Sequence, residues 1–232
     1  MTAREPPGGD RGEFGVPAWL TGLAQSAARA AVPEPLRPKD AGSRPAAVLV
    51  LFGEGPAGPD LLLVQRGQGL RRHAGQPAFP GGAIDERDGG PVPAALREAS
   101  EEARVDPAGV RVLAVLPELY LARSGFSVTP VLAWWHHPAP VEPGDPVEIA
   151  AVARIPVAEL ADPANRLAAR NPSGRAGPAF RVGGMLVWGF TAMVVDWLLA
   201  LGGWERPWDA GSPEDLPPEV PQAAGRGPEP GP

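Results

Sequence analysis

The chain has 232 residues, a formal net charge of −6 at pH 7 and no cysteine. The length allows one domain with tails, and the acidic balance argues against a broad nucleic-acid surface. The lack of cysteine excludes disulfides, thiolate nucleophiles and cysteine metal sites, and it fits a reducing compartment, so we expect a cytoplasmic protein.

No secretory signal or membrane span is predicted. The first ten residues are polar and lack an apolar core. The most apolar late stretch, 185–201, is shorter than the roughly 20 residues of a spanning helix and contains Asp196. We therefore expect no membrane partner.

Composition divides the chain into four parts. Residues 1–15 are rich in Gly, Pro and charge and are predicted to be a disordered tail. Residues 16–44 are predicted to hold a short helix and a linker. The folded domain is expected over 45–205. Residues 206–232 hold many prolines and acids and are predicted to be a second disordered tail.

Within the domain, strands and helices are predicted to mix. Apolar, β-branched runs predict strands at 46–52, 60–65, 110–116, 127–135 and 149–155.

The remaining segments connect these strands or follow them. A turn-rich hairpin loop is predicted at 53–59, a short helix at 157–161 and a loop at 162–177. A hairpin is predicted at 180–187 across Gly183-Gly184. An amphipathic helix is predicted from Phe190 to Leu201 because its apolar residues recur at helical spacing.

The most informative segment is a glycine turn followed by an acidic helix. Glu98, Glu101 and Glu102 fall on one face of this helix, where like charges repel each other. A divalent cation would remove that repulsion, and Mg²⁺ prefers carboxylate oxygens and commonly holds a phosphate-bearing substrate as well. Arg97 stands four residues before Glu101 and is expected to pair with it. A solvated helix face shows the same charge pattern, so the pattern alone leaves both interpretations open.

The segment resembles the signature box of the Nudix hydrolases, G-x5-E-x7-R-E-U-x-E-E-x-G-U, in which U is a bulky apolar residue. The matching residues are Gly82, Arg97, Glu98, Glu101, Glu102 and Val105.

Four features depart from this pattern. Asp88 stands in the place of the first glutamate, and the spacer before Arg97 is one residue longer. Ala99 is small for its position, and Arg104 replaces the glycine. We therefore expect a loop insertion at Gly89-Gly90-Pro91 and a non-glycine geometry at the helix end.

The residues upstream of the box narrow the resemblance. Residues 62–82 read LLVQRGQGLRRHAGQPAFPGG, which is similar to the motif LLTxRSxxLRxHxGQxxFPGG of the coenzyme A pyrophosphatase branch. Asp85 and Asp88 supply the two acids that follow in that motif. Residues 124–130 and 187–192 also resemble the branch.

The upstream motif suits an anionic substrate. Arg66 and Arg71 can make bidentate phosphate contacts, and glycines allow close backbone approach. A solvated basic turn is the alternative. The predicted substrate-binding residues are Arg66, Arg71, Gly75, Gln76, Gly81 and Gly82.

The resemblance implies an α/β fold, a Nudix-type α/β/α sandwich around a central mixed β-sheet. It implies an enzyme that binds Mg²⁺ or Mn²⁺ through Glu98, Glu101 and Glu102. Arg97, Asp88 and Glu148 complete the predicted catalytic set of Glu98, Glu101, Glu102, Arg97, Asp88 and Glu148. Asp85, Asp88 and Glu148 all remain open as base or as partner of a metal ligand.

The implied substrate is coenzyme A or acyl-CoA, cut to 3′,5′-ADP and (acyl-)phosphopantetheine. One alternative is a Nudix hydrolase for another nucleoside diphosphate derivative, such as ADP-ribose or NADH. Another is a non-catalytic Nudix-fold binding module. The resemblance leaves a homodimer open.

Overall fold

The computed structural model describes residues 15–38, 43–69, 74–121, 125–170 and 174–216. The predicted substrate-binding residue Arg71 lies outside these ranges. So do residues 1–14 and 217–232, which make up most of the two predicted tails.

The described ranges contain four α-helices and twelve strands. The helices are α1 (Ala18–Ala27), α2 (Pro91–Ala103), α3 (Val157–Ala161) and α4 (Gly189–Leu201). The strands are β1 (Arg44–Gly55), β2 (Gly58–Arg66), β3 (Pro77–Ala78), β4 (Gly81–Ala83), β5 (Val110–Val115), β6 (Leu119–Leu121), β7 (Phe126–Trp135), β8 (Ile149–Pro156), β9 (Arg166–Arg170), β10 (Ala176–Val182), β11 (Met185–Val187) and β12 (Glu214–Asp215).

A mixed sheet forms the centre of the molecule, in the order β3-β2-β1-β7-β5. Strands β1 and β7 run parallel, whereas β1 and β2 form an antiparallel hairpin. Strand β4 also pairs with β1, β6 with β7, and β8 with β2. The hairpin turn is tighter than predicted, because the ladder continues to the Gly55–Gly58 pair.

Both faces of this sheet are buried under helices. Alternate residues of β1 point to opposite faces, so Val50 and Phe52 join the core beneath α1, α3 and α4. Leu49 and Leu51 join the core beneath α2, whose contact face is lined by small alanines such as Ala99. This arrangement confirms the predicted α/β/α sandwich with a mixed sheet.

A second, four-stranded sheet has the order β11-β10-β9-β12. The prediction of a continuous loop over 162–177 was wrong, because β9 lies within it and pairs antiparallel with β10. The apolar centre of β9 is only three residues long and is bounded by arginines, so the ladder rather than local sequence stabilises it.

The chain beyond residue 205 also differs from the prediction. Residues 206–216 were predicted to be disordered, yet Trp208 covers Arg166, with the guanidinium carbon 4.6 Å from the ring centroid. Strand β12 pairs with β9, and Glu214 forms an ion pair with Arg181 at 2.7 Å. One aromatic side chain and a short ladder thus hold a segment whose composition suggests disorder.

We predict that truncation after Arg206 will destabilise the domain, whereas truncation after Leu216 will not. The Arg166 side chain is fully buried, and losing an aromatic cover over a desolvated cation costs about 0.5–2 kcal/mol. The melting temperature should fall by about 2–6 °C for the shorter chain. Equal melting temperatures for the two truncated chains would contradict the assigned role of Trp208.

Within the described residues, no helix has the length and apolar character needed to cross a bilayer.

Candidate functional site

Helix α2 provides the frame of the site. Two prolines stand in its first turn, where a missing N–H costs little. The helix ends at Ala103, and Arg104 adopts a left-handed conformation with φ 56° and ψ 27°. The expectation of a non-glycine geometry was therefore wrong, because Arg104 itself takes the conformation that usually favours glycine.

Glu102 joins the two sequence motifs. Its carboxylate is buried and accepts hydrogen bonds from Arg66 Nη1 at 3.1 Å and from the Gly81 N–H at 3.0 Å. Burial raises the pKa of Glu102 to about 7, although both partners act in the opposite direction. The upstream motif and the acidic helix thus meet at one carboxylate.

Arg97 links the other acids. Its guanidinium makes a bidentate pair with Asp88, at 2.8 Å and 3.0 Å, which is a strong, directional contact. Its Nη1 also donates to Glu98 and to Glu101, both at 2.9 Å. The predicted pairing of Arg97 with Glu101 is confirmed. The contact with Arg97 also holds Asp88 in place directly before the expected insertion at Gly89-Gly90-Pro91.

The surroundings shift the pKa values of Asp88 and Glu98 in opposite directions. Hydrogen bonds from Arg97, followed by the backbone N–H of Asp85, lower the pKa of Asp88 to about 2. Burial raises the pKa of Glu98, against the effect of Arg97, and repulsion from Glu101 adds to the rise. Asp88 therefore stays ionised near neutrality, and Glu98 is the more readily protonated of the two.

The two glycines of the turn, Gly81 and Gly82, each leave room for a different neighbour. A Cβ at Gly82 would stand 2.5 Å from Glu98 Oε1. A Cβ at Gly81 would stand 2.4 Å from the carbonyl oxygen of Ala47, in the neighbouring strand. Gly82 thus leaves room for the Glu98 side chain, whereas Gly81 leaves room for the backbone of β1.

Glu148 directly precedes β8 and acts electrostatically on Glu102. Its side chain is exposed, and its charge contributes to the raised pKa of Glu102. Its backbone carbonyl accepts a hydrogen bond from the Gly67 N–H at 2.7 Å. A Cβ at Gly67 would lie 2.1 Å from the carbonyl oxygen of Val147, so the difference from serine in the branch motif is required by packing.

Gly75 and Gln76 bind the main chain of Arg66. The Gly75 N–H donates to the Arg66 carbonyl, and the Gln76 carbonyl accepts from the Arg66 N–H, both at 3.1 Å. Gly75 has φ +65°, a conformation that glycine adopts without strain. In the structure, these two predicted binding residues therefore shape the end of β2 and hold Arg66.

The acids of α2 are paired with arginines. In the part of the chain that the structure describes, no group of three or more His, Asp or Glu side chains is positioned to hold a metal ion. The sequence interpretation did not foresee the contacts of Gly67, Arg104 and Gly144, which join segments far apart in the chain and leave no local pattern.

Comparisons with known proteins agree with this arrangement. The model of the NUDIX domain matches residues 42–175. "Uncharacterized Nudix hydrolase NudL" of Cronobacter sakazakii is 47% identical over 116 residues, which are 50% of this chain and 59% of that protein. The protein of the same name from Escherichia coli K12 is 44% identical over the same length. The chain thus spans about three fifths of the curated relatives it matches.

A solved structure supports the fold. The Nudix hydrolase RenU of M. smegmatis superposes with a TM-score of 0.51 at 20% identity, over 73% of this chain and 92% of that one. The matched residues 42–175 include β1, the glycine turn, all of α2 and the Glu148 segment. Since the family model covers more than half of the chain and includes the acidic helix with its arginine and glycine partners, the chain belongs to the Nudix family.

Proposed function

We propose that this chain is a metal-dependent Nudix pyrophosphohydrolase that cleaves the phosphoanhydride bond of coenzyme A or acyl-CoA. The products would be 3′,5′-ADP and (acyl-)phosphopantetheine. Water attacks one phosphorus, the bond to the bridging oxygen breaks, and the proton of the water passes to a base.

The observation that carries this proposal is the contact between Arg66 and Glu102. Arg66 belongs to the segment 62–82 that resembles the coenzyme A branch, and Glu102 belongs to the box that the whole family shares. The 3.1 Å ion pair between them supports the proposal, because it joins Arg66 of that segment to the acidic helix. An arginine at this position can reach both a carboxylate and a substrate phosphate.

The donor chemistry fits the divalent cation that the fold family implies. Glu98, Glu101 and Glu102 would hold it, since hard carboxylate oxygens suit Mg²⁺ and Mn²⁺. Burial, followed by repulsion from Glu101, raises the pKa of Glu98 in spite of its contact with Arg97, and a bound cation would favour the ionised carboxylate. When bound, the cation supplies positive charge to the phosphoanhydride oxygens.

The protein side chains then take distinct roles. Asp88 is too weak a base, since Arg97 and a backbone N–H stabilise its anion. We assign it to holding Arg97, which in turn orients Glu98 and Glu101. Glu148 is exposed and its charge acts on Glu102, so we assign it as the base that accepts the proton of the attacking water.

A substrate comparison tests the proposal. Purified protein is incubated with CoA, acetyl-CoA, ADP-ribose, NADH and a dinucleoside polyphosphate, each with Mg²⁺ or Mn²⁺, and the products are identified by mass spectrometry. We expect 3′,5′-ADP from CoA at the highest kcat/KM. Preference for ADP-ribose or NADH would favour a different Nudix hydrolase, and turnover of none would favour a binding module.

Substituting the two turn glycines separates activity from stability. Gly82→Ala forces the flexible Glu98 side chain to move, so we expect roughly tenfold lower kcat/KM with a nearly unchanged melting temperature. Gly81→Ala places its Cβ against the backbone of β1, so we expect a drop of several degrees.

The matched pair makes the test specific, because both substitutions add the same methyl group one residue apart. Normal activity in Gly82→Ala, or a shared loss of stability in both variants, would contradict the placement of Glu98 against Gly82.

A further inference from the structure

A short segment, residues 144–148, is attached to the end of helix α2. The Gly144 N–H donates to the carbonyl of Glu102 at 3.0 Å. The Gly144 carbonyl accepts a hydrogen bond from Arg104 Nη2 at 2.9 Å. The backbone of Gly144 is therefore held at its N–H by Glu102 and at its carbonyl by Arg104, the residues on either side of the last helical residue.

The attachment is close, and a second one follows at the other end of the segment. A Cβ at Gly144 would stand 1.6 Å from the carbonyl oxygen of Glu101, so backbone lies directly on backbone. At the far end, the Gly67 N–H donates to the Glu148 carbonyl at 2.7 Å. The segment thus connects α2 with the loop after β2.

Internal hydrogen bonds make the segment a defined turn. The Asp145 side chain accepts from the Val147 N–H at 2.8 Å. The Asp145 carbonyl accepts from the N–H groups of Glu148, at 3.0 Å, and of Ile149, at 2.8 Å. Because the turn is internally bonded, we expect a displacement at Gly144 to be transmitted to Glu148.

Arg104 is an unexpected residue for the conformation that it adopts. With φ 56°, it occupies the left-handed region, which disfavours side chains with a Cβ. Glycine would adopt this conformation without strain, but it could not reach the Gly144 carbonyl. Among the contacts of the described residues, the guanidinium bond to Gly144 is the interaction at this position that requires a long cationic side chain.

We propose that Arg104 is a positioning residue, whose hydrogen bond to the Gly144 carbonyl fixes the turn that presents Glu148 to the site. The inference rests on the proposed function for its catalytic test. Arg104 does not contact the reacting atoms; it acts through the turn and through Glu148.

The first test substitutes Arg104 with residues that tolerate a left-handed conformation. Arg104→Gly and Arg104→Asn relieve backbone strain but lose the contact, so the melting temperature should stay equal or rise. We expect kcat to fall roughly three- to tenfold, the loss of one charge-assisted bond at an exposed site, with KM within about twofold. Arg104→Lys keeps a cationic donor and should retain more activity than either.

A double-substitution cycle shows whether Arg104 acts through Glu148. In a Glu148→Gln background, Arg104→Gly should cause no further loss, because the group that it positions is already absent. Multiplying effects would overturn the proposal. Arg181→Gln, which removes an exposed arginine from an ion pair in the second sheet, is the control and should leave kcat unchanged.

Hydrogen exchange tests the same contact without any substrate. In Arg104→Gly, the amides of 145–149 should exchange at least about threefold faster than in the wild type, since the turn has lost an attachment. Unchanged exchange would overturn the proposal even if activity fell. If the wild type cleaves none of the substrates, the proposed function fails, and faster exchange in the variant would still support the attachment.

Discussion

Replacing Glu102 with glutamine will reduce kcat at least about tenfold, which corresponds to about 1.4 kcal/mol in the barrier. The Glu102 carboxylate accepts from Arg66 on one oxygen and from the Gly81 N–H on the other. A glutamine has only one carbonyl oxygen, so its NH₂ group must face one of these two donors. The substitution also removes one of the three charges assigned to the cation.

Glu101→Gln is the companion variant. Glu101 is largely exposed and contacts Arg97 alone among the pairs described, so this change removes a charge without disturbing the buried contacts. We expect a similar loss in kcat and a higher concentration of Mg²⁺ or Mn²⁺ at half-maximal activity, because the cation would lose one carboxylate ligand.

The control for both is Glu159→Gln, which alters an exposed glutamate of the short helix α3. Its kcat should match that of the wild type. Near-normal turnover of Glu101→Gln and Glu102→Gln at saturating metal, with both folded by circular dichroism, would reject the assigned metal site.

The central sheet could be predicted from sequence because its strands carry long apolar runs. Both faces of β1 are buried, so every residue from Ala47 to Phe52 is apolar and the run is unambiguous. Strand β9 offered no such signal. Its two ends are arginines, and its short apolar centre becomes a strand only when β10 lies beside it.

The candidate site could be predicted only where its residues share a local period. Glu98, Glu101 and Glu102 follow from helical spacing, and so does the pairing of Arg97 with Glu101. The pair of Arg66 with Glu102 joins residues 36 positions apart, and no periodicity encodes such a contact.

The backbone conformation at the end of α2 could not be predicted from the sequence either. A left-handed conformation after a helix usually favours glycine, so Arg104 at this position predicts a different backbone conformation. The structure keeps the turn and adds a contact to Gly144, 40 residues away. Local propensity was outweighed by a tertiary hydrogen bond that the sequence alone does not reveal.

Substitution of two arginines of the upstream motif, Arg66 and Arg71, tests substrate selection, and the two variants should differ in their kinetics. Arg66→Ala removes the ion pair of Glu102 and leaves a buried carboxylate with the Gly81 N–H alone. We therefore expect both a higher KM for CoA and a lower kcat. Arg71 lies outside the described residues, and its role in binding phosphate remains a prediction from the motif.

If Arg71 contacts a phosphate of CoA, Arg71→Ala will raise KM with little change in kcat. A charge-assisted arginine–phosphate bond contributes roughly 1.5–3 kcal/mol, equivalent to about ten- to a hundredfold in kcat/KM. Steady-state kinetics with CoA and with dephospho-CoA would locate the contact. A smaller effect on dephospho-CoA would assign Arg71 to the 3′-phosphate, and an equal effect would assign it to the pyrophosphate.

The comparison has an internal control, because Arg66→Ala should impair both substrates alike if Arg66 acts at the carboxylate and the pyrophosphate. Arg181→Gln should change neither. If Arg66→Ala and Arg71→Ala both leave the kinetics of CoA unchanged, the upstream motif does not select coenzyme A in this chain, and the substrate must be sought among other nucleoside diphosphate derivatives.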